Sequence, residues 1–303
     1  MKKSLLIVLM ALLVVSFGFS QGVAEESGNK KVYLITMDQM DQHWQHVNAG
    51  CEKAAKEIGG IDYKWLAPDV KDDNKQIECI NNAVAGGAQA ILLAANGPTA
   101  VTAALKEATA AGVKIIYVDS AADYPSEQIL ATDNEAAGKT AGTELLKALN
   151  AKGKTTGNIG IVTVNAATAS TVAREKGFRA TFEGTGFNIL ETQYSNGDAT
   201  VSKDMSANFI TQGVVGLFGA NEGCSVGIGN AIKEAGDQVI GVGFDTSDMI
   251  LSLVNDGYVL CTMAQNPEVM GYEGMKTAAK VLNGETVDKK YVDTGVSVIR
   301  KTE

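Results

Sequence analysis

The sequence predicts an α/β protein of two similar, doubly wound parallel-sheet lobes, joined by a three-crossing hinge and leaving a cleft between them. Three observations predict it. From Lys31 onward, short β-branched runs alternate with amphipathic stretches, the order of parallel strands and crossover helices. Glycines at 59–60, 86–87 and 112 stand where helical stretches should end. The pattern then starts again after Asp133, so two five-strand halves follow one another. A chain of 303 residues, 45% apolar and 20% charged, is also long enough to divide into two domains.

In chain order, apolar runs place strands at 32–36, 62–65, 90–94, 114–119 and 128–131. Helical periodicity places helices at 44–58, 74–85 and 99–111 between them. The second half repeats this with strands at 158–164, 188–194, 214–219, 239–244 and 258–263. Helices at 168–182, 199–210, 224–235 and 247–255 separate those strands, and a last helix at 268–282 and strand at 295–300 close the chain. No Pro/Gly/Ser-rich linker is present, so the chain should change lobe at 132–133, 265–266 and 293–294. The expected division is 31–132 plus 266–293 for the first lobe and 133–265 plus 294–303 for the second.

Lys2 and Lys3, an apolar run over 5–15, and small residues at Gly18 and Ser20 have the order of a cleavable secretory signal over 1–20, with 21–30 as a flexible tether. The mature protein is therefore expected in the periplasm or outside the cell. The balance of 26 Lys+Arg against 35 Asp+Glu gives a net charge of −9, with no basic cluster, which excludes nucleic acid as the main partner. Four cysteines in an oxidising compartment raise the question of disulfides. Cys51 and Cys79 fall in successive helices expected on opposite sheet faces, beyond the roughly 7 Å a bridge allows between Cα atoms. Cys224 and Cys261 are the better pair, though buried free thiols are the preferred reading.

In open α/β sheets, ligands sit at the carboxyl ends of the strands. Those positions hold Asp41, His43, Trp44, Asn96 and Asp119 in the first half. The second half adds Asn165, Arg174, Asn196, Asp198, Asn221, Asp245 and Gln265. Carboxylates, amides and a guanidinium present planar donor and acceptor edges that can span neighbouring hydroxyls, and Trp44 and His43 offer flat faces for a ring. Each residue alone has a plainer use, as a helix cap, a turn residue or, for Trp44, core. Catalytic patterns fit poorly. His43 and His46 lack further ligands at metal-binding spacing, and there is no nucleophile elbow or Walker loop. Asp119 and Asp245 as a glycosidase pair would both be held ionised by Arg174 and nearby amides. No enzyme activity, cofactor or metal is expected.

Several separate segments carry a resemblance: Ala-Thr-Asp-Asn at 131–134, Ala-Arg-Glu-Lys-Gly-Phe at 173–178, Phe-Gly-Ala-Asn at 218–221, Gly-Val-Gly-Phe-Asp at 241–245, Val-Asn-Asp-Gly at 254–257, Thr-Met-Ala-Gln at 262–265 and Lys-Val-Leu-Asn-Gly at 280–284. With these, the chain resembles type I periplasmic solute-binding proteins of the ribose/galactose-binding class, ribose-binding proteins most closely. The resemblance implies ligand contacts at Asp41, His43, Trp44, Asp119, Ser120, Arg174, Asn221, Asp245 and Gln265. It implies a monomer that captures a sugar or sugar-like polyol by cleft closure and hands it to the permease of an ABC importer. The family pattern has Asn at the place of Asp41, Phe at His43 and Trp44, Arg at Ser120 and an aromatic near Gly197, so the hydroxyl contacts here are a changed set. A local likeness of 118–120 and 194–203 to autoinducer-2 receptors leaves a signalling role, with a chemoreceptor or sensor kinase as partner, as the alternative.

Overall fold

The computed structural model describes residues 28–236 and 239–301, so the expected signal segment and most of the tether lie outside the described residues. The first half runs β1 (Lys30–Ile35), α1 (Gln42–Ile58), β2 (Ile61–Leu66), α2 (Asp73–Ala85), β3 (Ala90–Leu93), α3 (Thr102–Ala110), β4 (Lys114–Val118) and β5 (Gln128–Ala131). The second runs α4 (Asn134–Ala151), β6 (Thr156–Thr163), α5 (Ala169–Phe182), β7 (Gly186–Ile189), β8 (Gln193–Tyr194), α6 (Ala199–Thr211), β9 (Gly216–Gly219), α7 (Glu222–Glu234), β10 (Ile240–Phe244), α8 (Asp248–Asp256) and β11 (Cys261–Gln265). The chain ends with α9 (Pro267–Leu282), β12 (Tyr291–Asp293) and β13 (Val296–Arg300).

Two parallel-sheet lobes result. One sheet has the order β12-β5-β4-β3-β1-β2; the other has β13-β11-β10-β9-β6-β7, with β8 also paired to β6. Among the described residues, only β13, against β11, is antiparallel. The period-two alternation of β1 shows why helices cover both faces. Val32 and Leu34 pack with α1 and α9, whereas Tyr33 and Ile35 pack with α2 and α3. In the second lobe α4 and α5 share one core and α6 and α7 the other. The chain leaves the first sheet after β5, returns after β11 and leaves again between β12 and β13. These passages are tied together: Thr132 Oγ1 donates to Gln265 Oε1 (2.8 Å), Asp133 N–H to Asp293 Oδ1 (3.1 Å) and Asn266 Nδ2 to the Thr294 carbonyl (2.8 Å).

The structure corrects several sequence expectations. Helix α4 had no counterpart among the expected elements, because its buried stripe of Ala137, Gly138, Ala141 and Gly142 gives little apolar contrast. The strand expected at 188–194 is two short ones, and Lys30, assigned to the tether, already belongs to β1. All four cysteines are free thiols, as the preferred reading had it, with Cys224 and Cys261 in different cores; only Cys79, which is half-buried, departs from that reading.

Helices α4 and α5 cross so closely that a Cβ on Gly177 would lie 1.9 Å from the Glu135 carbonyl oxygen. Backbone cannot yield as a side chain can. Gly177→Val should therefore part the helices and destabilise the protein by about 3 kcal/mol or more, read as a lower urea midpoint at unchanged slope. A midpoint equal to wild type would show that the crossing is not tight in solution.

Candidate functional site

The carboxyl ends of the two sheets face each other, and equivalent turns supply the site's central carboxylates. Asp119 follows β4 and Asp245 follows β10, each in the left-handed region at φ 65° and 73°. Their N–H groups donate at 2.9 Å to the Leu130 and Met263 carbonyls of the adjoining segments. A non-glycine residue pays conformational energy there, and the reward is a carboxylate turned off the strand end into the cleft. Around this pair converge Asp41, His43 and Trp44 from the start of α1, Arg174 from α5, Asn221 from the N-cap of α7 and Gln265 from the end of β11. Together they enclose a cavity of about 20 Å³. That is room for about one water, so a larger ligand enters only if the lobes part or side chains move.

His43 occupies the middle. Its Nε2 lies 3.1 Å from Asp119 Oδ2, off the hydrogen-bond axis, and its Nδ1 lies 3.5 Å from Asp245 Oδ1. Burial would strip the ring of its charge, but the two carboxylates outweigh burial and push its pKa up to about 10. The same contacts prevail over burial at the carboxyls, holding Asp245 down at about 2 and Asp119 below its usual range. Both acids are therefore ionised, chiefly through His43 and less through Arg174. Neither is the proton-bearing acid a glycosidase needs. His43 lines the cavity and is also a cation clasped between carboxylates of the two lobes.

Arg174 is almost wholly buried. Its Nε donates to Asn134 Oδ1 (2.8 Å), its Nη1 to the Ala220 carbonyl (2.9 Å), and its guanidinium lies over the Phe244 ring at 4.1 Å. Gln265 Nε2 donates to Asp245 Oδ1 at 2.6 Å. Trp44 belongs both to the cavity wall and to the core beneath β1; its Nε1 donates to Asp38 Oδ2 at 3.2 Å, and its ring meets His43 edge-on at 4.7 Å. Ser120 lies behind the cavity rather than on its wall. Its hydroxyl bonds Asp119 Oδ1 (2.8 Å) and, from the opposite lobe, Ser170 Oγ (2.7 Å).

Sequence reasoning missed Lys71. It reaches the cavity with Nζ 2.5 Å from Asp38 Oδ2 and 3.0 Å from Asp41 Oδ2, and its charge is held above the ordinary range by both. Burial, opposed by Lys71 and aided by Asp38 and Asp245, pushes Asp41 up to about 6. Glu222, buried at the head of α7, is pushed up to about 7 by burial and by Asp41 and Asp245. Nothing in the spacing of these residues announces that they meet; Lys71 reads as one more charge in the Asp-rich run before α2, where Asp72 is the actual cap. The other strand-end polar residues have local duties. Asn165 Oδ1 accepts the Ala167 and Thr168 N–H groups, Asp198 caps α6, Asn196 holds a left-handed turn at φ 54°, and Asn96 donates to Asp73 Oδ1.

A family model described as a periplasmic binding protein domain matches residues 32–286. Among curated proteins, the ribose import binding protein of Haemophilus influenzae is 31% identical over 80% of this chain and 82% of its own. That of Escherichia coli is 28% identical over 93% and 95%. A solved carbohydrate transporter solute-binding protein from Agrobacterium radiobacter, in complex with D-arabinose, superposes with a TM-score of 0.86 at 33% identity, covering 90% of this chain and 95% of that one.

Proposed function

Because the chain belongs to the periplasmic binding protein domain family, we propose that it captures a sugar or sugar-like polyol between its lobes, outside the cytoplasm, and delivers it to an ABC importer. The observation that carries this is the convergence of Asp41, His43 and Asp119 from one lobe with Arg174, Asn221 and Asp245 from the other on a single cavity. Ionised Asp119 and Asp245 accept hydrogen bonds from hydroxyls, while Arg174, Asn221 and Lys71 donate, and charge-assisted bonds of this kind are about twice as strong as neutral ones. The names of the ribose import relatives and of the D-arabinose complex support the ligand class. Asp41 and Lys71 add a carboxyl and a cation to the cavity wall beside these. The role is binding without turnover.

A ligand that needs both groups of residues is satisfied only when the lobes are together, so it draws the population toward the closed form. A thermal-shift screen over pentoses, hexoses, polyols and autoinducer-2 should give one clear hit. At 100 times its dissociation constant that ligand should stabilise by about 2.7 kcal/mol. Small-angle scattering with the hit should show a smaller radius of gyration at constant, monomeric mass. A flat screen would sink the sugar reading, and an unchanged scattering profile with a bound hit would sink closure about the three crossings.

A further inference from the structure

Helix α1 starts without a cap from its own segment. Its N-cap residue Asp41 makes no side-chain bond to the first turn, and that turn holds no acidic residue. Asp41 is turned to Lys71 instead. The two leading N–H groups are nonetheless satisfied, from the other lobe: Gln42 N–H donates to Glu222 Oε1 and His43 N–H to Glu222 Oε2, both at 3.0 Å. The contact is returned, since Asp248 N–H at the head of α8 donates to the Gln42 side-chain oxygen at 3.2 Å. Free first-turn N–H groups carry partial positive charge, so a carboxylate spanning two of them makes a charge-assisted pair.

We propose that Glu222 and Gln42 form a reciprocal helix-capping latch that holds the two lobes closed, separately from the ligand contacts. It rests on lobe closure and not on which ligand is captured. Neither residue lines the cavity, but each adjoins one that does: Gln42 lies between Asp41 and His43, and Glu222 follows Asn221. The motion that brings His43 and Asn221 to a ligand therefore also seats the caps. Opening strands two N–H groups on α1 and one on α8, which sets the latch apart from an ordinary surface contact.

Residue-resolved amide hydrogen exchange on the full chain, with no sugar added, tests this independently of the sugar reading. In the wild type the Gln42 and His43 amides should exchange about threefold more slowly than free amides, the latch being shut in part of the ligand-free population that ligand then draws wholly closed. Glu222→Ala should return both to the free rate while the α1 interior from Val47 onward stays protected, and its radius of gyration should rise. Glu222→Gln, which keeps one acceptor oxygen, should retain part of the protection. Gln42→Ala should release the Asp248 amide. First-turn amides that exchange freely in the wild type, or that stay slow in Glu222→Ala, would overturn the latch. Should Glu222→Ala fail to fold, Glu222→Gln and Gln42→Ala decide the same point.

Discussion

Replacing Arg174 with alanine is expected to remove about 3–5 kcal/mol of stability and, with it, ligand binding, because the change leaves buried partners uncompensated. Arg174 is 2% exposed. Without it, the Ala220 carbonyl and Asn134 Oδ1 lose a donor, and Asp119, 4.0 Å from Nη2, keeps only the His43 cation to offset its charge. The Phe244 ring loses the plane that covers it. Arg174→Lys restores the charge but not the planar fork, so it should recover stability in part and binding little. Urea unfolding and calorimetry with the screened ligand measure the two effects. An Arg174→Ala protein within about 1 kcal/mol of wild type, or one that binds normally, would remove Arg174 from the centre of the site.

The second large effect is a pH dependence that belongs to His43. In the folded protein it keeps its proton to about pH 10, against an ordinary 6.5. Its stabilisation is thus complete below about pH 6.5, declines as the unfolded chain deprotonates above that, and is gone above about pH 10. Wild-type stability should fall with rising pH across this window at a slope approaching 1.4 kcal/mol per pH unit. His43→Gln has no such proton and should be nearly flat over the same range. Asp41 and Glu222, raised to about 6 and 7, add a fall of the same sign, but below about pH 7. Asp245, depressed to about 2, acts oppositely: its contribution is present above its ordinary 3.8 and lost as pH drops through 2. Urea midpoints of both proteins at several pH values between 7 and 10 decide it; parallel curves would mean that the clasped imidazole is not charged.

The alternation of strands and helices was legible because parallel strands buried on both faces are nearly continuous apolar runs, and β1, β3 and β4 are such runs. Eight of the nine expected contact residues reach the cavity wall, since a strand's carboxyl end is a position that sequence order reveals. What stayed hidden were partners. The role of His43 depends on Asp119 and Asp245, which come from other elements, and an imidazole in the first turn of a helix looks the same whether it faces a ring or two acids. Glu222 was passed over beside Asn221 for the same reason, its bonds being to backbone across the cleft. Helix α4 escaped because tight packing against α5 demands small residues, which carry no periodic apolar signal.

The threefold passage between sheets has a consequence for the order in which the chain can fold. One wall of the first lobe's core is made by Met270, Met275, Ala278 and Val281 of α9, and the edge of its sheet is β12 against β5. A ribosome that has released β1 to β5 has therefore delivered an incomplete lobe, with Val47, Leu92 and Val118 still facing water where α9 will lie. The second lobe can bury most of its core first, although α9 is synthesised only after β11. Domains usually fold from the amino terminus during synthesis. Here the first lobe cannot be completed until the chain has been made as far as Asp293, well after the strands at the centre of its own sheet and after most of the second lobe.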